Sequence, residues 1–74
     1  MDNNTGIANQ VTKELKALVE ELADEFKIPF LMNYAGFQHE EIANQLAIPL
    51  GTVRQRVLHA KRFLKSKIEY RHTL

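Results

Sequence analysis

Pro49 stands between two stretches whose apolar residues recur at helical spacing, and this constrains the fold more than any other feature of the chain. On one side Ile42, Ala43 and Leu46 share a helical face; on the other Val53, Val57, Ala60 and Leu64 run i, i+4, i+7, i+11 along one stripe. Proline has no N–H to donate and a fixed φ. It therefore fits the first turn of a new helix and drives Ile48 before it out of helical geometry. The chain must turn at Ala47-Ile48-Pro49, and two helices joined by three or four residues form a helix-turn-helix.

With the stripe of the second helix turned inward, Gly51, Thr52, Arg54, Gln55, Leu58, His59, Lys61, Arg62 and Lys65 are left facing out. Arginine pairs bidentately with guanine and glutamine with adenine in the major groove, while Lys and Arg neutralise phosphates. The charges taken alone also suit an ordinary solvated helix face. The corner that precedes them favours a nucleic-acid surface.

Upstream, residues 1–10 are polar and Asn-rich with Gly6 among them, and are expected to be a flexible lead to a single domain over 11–74. Val11, Leu15, Leu18, Val19 and Leu22 predict a first helix, with Thr12 able to cap it and an end near Asp24. A second is expected from around Glu25, with Phe26, Phe30, Leu31 and Tyr34 in the core. Pro29 is tolerable only near its first turn, and Gly36 supplies the stop. The third helix spans about Gln38 to Leu46 and the fourth about Pro49 to Lys67, with the tail after Glu69 frayed. The connections leave no space for a strand, so the class is all-α: a compact bundle of about four helices whose third and fourth form the helix-turn-helix.

The net charge of +1 conceals an asymmetry. Residues 1–35 carry Lys13, Lys16 and Lys27 against Asp2, Glu14, Glu20, Glu21, Asp24 and Glu25, a balance of −3. Residues 36–74 carry seven Lys or Arg against Glu40, Glu41 and Glu69, a balance of +4. The basic half is the electrostatic footprint of nucleic-acid binding, and the acidic half should point away from DNA. Cysteine is absent, which excludes disulfides and thiolate metal sites. No apolar run approaches the ~20 residues of a membrane span, and the N-terminus lacks a secretory signal. A soluble cytoplasmic protein without membrane contact is expected, as a monomer.

No enzyme and no cofactor are expected: the chain has no Gly-rich phosphate loop, nucleophile elbow or Cys-His pair. His39, His59 and His72 match no zinc spacing. Glu20, Glu21, Asp24 and Glu25 suit the wet face of an amphipathic helix. Glu41 and Arg56, on adjoining helices, are candidates to pair with each other instead of serving a ligand.

The run GFQHEEIANQLAIPLGTVRQRVLHAKRFLK resembles region 4, the C-terminal DNA-binding domain, of bacterial sigma factors of the extracytoplasmic-function group. The residues carrying the likeness are Gly36, Glu41-Ile42-Ala43, Ile48-Pro49-Leu50-Gly51-Thr52-Val53, Arg54-Gln55-Arg56 and Ala60-Lys61-Arg62. FKIPFLMNY upstream is similar to the family's preceding helix, so about fifty of the 74 residues are covered.

The resemblance implies recognition of a double-stranded promoter minus-35 element in the major groove and docking on the β flap of RNA polymerase. Arg54, Gln55 and Leu58 would face bases. Thr52, Arg56, His59 and Arg62 would lie near phosphates or the groove wall, with Gln38 and His39 at the backbone from the third helix, and Gly51 also belongs to the DNA-binding set. The first two helices would meet polymerase or an anti-sigma factor. Ala47 stands where the family has Gly or Asn, and a left-handed alanine costs roughly 1 to 2 kcal/mol. Gln38 replaces the usual Ser cap, and Gln55 a small polar residue. Nothing resembles region 2, so the chain alone is not expected to initiate transcription. A stand-alone module binding polymerase or a sigma regulator without reading DNA is the alternative, and a response-regulator effector domain is a structural cousin.

Overall fold

The computed structural model describes residues 13–73, with side chains through Glu69. Four helices account for the described chain: α1, whose described part is 13–19, α2 (Asp24–Tyr34), α3 (His39–Leu46) and α4 (Leu50–Thr73). No strand occurs among the described residues, so the all-α expectation holds. The flexible lead and the Thr12 cap lie outside the described residues.

α1 ends earlier than its apolar spacing predicts. Glu21 N–H donates to the Leu18 carbonyl and Leu22 N–H to the Val19 carbonyl, both at 3.0 Å, which tightens the last turn before the regular helix reaches Asp24. Leu22 is still buried, but from the connecting turn. Ala23 is extended (φ −65°, ψ 152°), and its carbonyl accepts from Phe26 and Lys27 at 2.9 Å to open α2. Asp24 and Glu25 in that first turn suit the positive end of the helix dipole. Lys27 Nζ spans the corner, 3.3 Å from Glu20 Oε1 and 4.0 Å from Asp24 Oδ1.

Pro29 is the sixth residue of α2, past the first turn where it was expected. Its missing N–H leaves the Glu25 carbonyl without a helical donor. Its ring is fully buried, and that apolar burial offsets the lost bond. Phe30 is buried as expected, whereas Leu31 is 43% and Tyr34 71% exposed. At Gly36 (φ 115°) the helix stops. Gly36 N–H donates to Asn33 O and Phe37 N–H to Met32 O, both at 3.1 Å, the paired bonds of a Schellman motif.

α3 opens at extended Gln38, whose N–H donates to Glu41 Oε1 at 2.7 Å. It closes at Ala47, which sits in the left-handed region (φ 57°, ψ 45°). α4 begins directly after Pro49, whose carbonyl accepts from Val53 N–H at 3.1 Å. With no Gly or Pro after Gly51, nothing stops it, and it runs on to Thr73 beyond the expected Lys67 and through the tail expected to fray.

The core has two parts, and α4 closes both. Val53 and Val57 pack with Ile42 of α3, flanked by Met32, Ala43, Leu46 and Ile48. Ala60 and Leu64 pack with Leu18, Val19, Leu22 and Phe30. All four residues of the predicted α4 stripe are buried.

Candidate nucleic-acid interface

Burial of that stripe fixes which side chains α4 shows to solvent. Arg54, Gln55, Leu58 and Arg62 are exposed, and Leu58 is 46% exposed amid the basic side chains. A thymine methyl is one external group that such an apolar side chain among cations fits. Gly51 is exposed in the first turn, and a Cβ placed on it meets nothing within 4 Å. The fold does not require glycine there. Thr52, beside it, is half-buried.

Three of the expected site residues are partly engaged by the protein itself. Arg56 lies about 160° around the helix from Arg54 at 3.6 residues per turn. It is half-buried and lines a cleft of about 260 Å³ with Asp24, Glu25, Ile28, Pro29, Leu46 and Ile48. His59 stacks on Phe26 of α2, ring centroids 4.2 Å apart and planes at 27°. His39 is half-buried, with Nε2 shielded and no hydrogen-bond partner in the protein. Gln38 is exposed at the start of α3, its N–H taken by Glu41. The sequence-level pairing of Glu41 with Arg56 does not form; Glu41 caps its own helix instead.

The charge around this surface is one-sided. From Leu50 to Ile68, α4 carries Arg54, Arg56, Lys61, Arg62, Lys65 and Lys67 and not one carboxylate. Helices that are merely solvated usually interleave acids at i+3 or i+4, so an acid-free run concentrates positive potential for a polyanion. Among the described residues no group of side chains could hold a metal ion.

The family model for sigma-70, region 4 matches residues 12–64, well over half of the 74. The chain belongs to the sigma-70 region 4 family. Region 4 is a DNA-binding domain of transcription initiation that works with RNA polymerase, and the family is not one of enzymes. No curated protein and no solved structure matches this region 4 chain. None of its described helices is long and apolar enough to cross a membrane.

Two features of this region 4 domain escaped the sequence reading. Phe26 was assigned to the core, but it also holds the His59 ring; an aromatic on one helix and a histidine on another give no local signal of such a contact. Between α1 and α2 an apolar groove of about 300 Å³ is lined by Leu15, Lys16, Val19, Glu20, Phe30, Leu31 and Tyr34. The exposure of Leu31 and Tyr34 follows from their place at its rim.

Proposed function

We propose that the chain is the promoter-reading domain of an extracytoplasmic-function sigma factor, seating the first turns of α4 in the major groove of a minus-35 element. Arg54, Gln55 and Leu58 read bases in this arrangement. Gly51, Thr52 and Arg62 lie against phosphates, with Gln38 at the backbone from α3. His39, Arg56 and His59 border the groove, with only the parts of their side chains not used in packing. The observation that carries the reading is the exposure of Arg54 and Gln55, adjacent on the first turns of a helix that carries no acid from Leu50 to Ile68, directly after the Pro49 corner. Such a domain works in the cytoplasm as a monomer.

The groove between α1 and α2 favours a second activity: docking on the polymerase β flap, or capture by an anti-sigma factor. That contact alone would make the chain an interaction module that modulates transcription without reading DNA. Duplex titrations over a range of salt separate the two. A DNA reader shows a steep salt dependence, and Arg54→Ala loses about 1 to 3 kcal/mol at particular base pairs only. If no duplex binds while flap capture persists, the interaction module stands and the promoter reading falls.

A further inference from the structure

The basic face of α4 does not stop where a groove-inserted helix would need it to. At 3.6 residues per turn, Arg54, Leu58, Lys61, Arg62 and Lys65 fall within an arc of about 100°, one continuous stripe. All five are exposed. Arg54 and Lys65 are separated along the axis by about 16 Å at 1.5 Å per residue, which exceeds the roughly 12 Å width of the major groove. For a helix that enters the groove by its N-terminal turns, the far end of the stripe therefore lies beyond the lip.

Its far end is also held rigidly. Ala60 and Leu64, on the other side of the same turns, are buried against Leu18, Val19, Leu22 and Phe30, so Lys61 and Lys65 are carried on a clamped segment of helix. Among the described residues no ion pair involves either lysine. They sit at i and i+4 of each other, where like charges repel, and the first acid on α4, Glu69, stands one turn past Lys65 and two past Lys61. A fold that tolerates this arrangement gains most when a row of anions comes alongside.

We propose that Lys61 and Lys65 form a second duplex-DNA contact, on phosphates flanking the site that Arg54 and Gln55 read. The inference rests on the reading of α4 as a DNA-binding helix and adds two residues to it. These lysines supply affinity that depends on salt and on duplex length, and no base preference.

The test compares wild type with the Lys61→Gln/Lys65→Gln double variant, matched for helix content by circular dichroism. Each is titrated by fluorescence anisotropy against a sequence enriched by the wild type from a random duplex pool. One duplex keeps long flanks and the other is trimmed to the enriched site. On the long duplex the slope of log affinity against log salt should become shallower by about 0.9 for each lysine removed, with base preference unchanged. On the trimmed duplex the two proteins should have equal slopes. Equal slopes on the long duplex, a shallower slope on both, or an altered base preference would each overturn the flanking contact while leaving the promoter reading intact. A wild type that binds no duplex overturns both.

Discussion

Phe26 and His59 lie face to face, 4.2 Å between ring centroids, and so fasten α2 to α4 halfway along the longer helix. Nothing in the local sequence of either residue demands the contact; it arises because Ala60 next to His59 is buried and Phe26 is drawn toward the same cluster. The stack should be measurable as a coupling energy. Phe26→Ala is expected to destabilise the fold by about 2 to 3 kcal/mol and His59→Ala by less, with a double-mutant cycle giving about 0.5 to 1.5 kcal/mol of interaction. Additive urea midpoints across the four proteins would mean that the rings merely adjoin.

Ala47 carries backbone strain that a single substitution relieves. Its left-handed φ of 57° disfavours any Cβ, while glycine is indifferent. Part of the gain is lost to the greater freedom of glycine in the unfolded chain, so Ala47→Gly should stabilise by about 0.5 to 1 kcal/mol. Chemical denaturation reads the effect directly, and a lower midpoint for the glycine variant would contradict it.

The glycines at 36 and 51 should respond to alanine with opposite signs, although an added Cβ meets no atom within 4 Å at either site. Gly36 sits at φ 115°, so Gly36→Ala should cost about 1 to 2 kcal/mol through the backbone alone. Gly51 is in the first turn of α4, where Gly51→Ala should gain up to about 1 kcal/mol in helix propensity. If Gly51 also admits a phosphate backbone close to the helix, the stabilised variant should bind duplex more weakly. Thermal melts with parallel titrations check both halves.

Arg54 and Arg56 differ by two residues and should differ in kind. Arg54 is exposed, so Arg54→Ala should leave the melting temperature unchanged while relaxing base preference. Half-buried Arg56 lays its stem along the cleft beside Pro29, Leu46 and Ile48, and Arg56→Ala should lower stability by about 1 kcal/mol. Equal loss of stability in both variants would refute the assignment of their faces.

The parts of this fold legible in the sequence are those set by local rules. The Val53 to Leu64 stripe, the Pro49 corner and the Gly36 stop all follow from periodicity or backbone restriction acting within a few residues. The strain at Ala47 is legible only through the resemblance, which places Gly or Asn at that position. What stayed hidden depends on distant packing. Pro29 survives inside α2 because its ring is buried, and α1 ends early because Leu22 reaches the core from a turn. Glu41 caps its own helix by accepting from the Gln38 N–H. The exposed part of the candidate interface, Arg54, Gln55, Leu58 and Arg62, could be read from the stripe by subtraction, as could the inward lean of Arg56, though not its place beside Pro29; the engagement of His39 and His59 by the rest of the fold could not.

One helix closing two separate apolar clusters has a consequence for how the chain comes apart. Val53 and Val57 cannot leave their cluster without straining Ala60 and Leu64 in the other, since a continuous α-helix transmits the displacement. Amide protons along the middle of α4 should therefore exchange together and last.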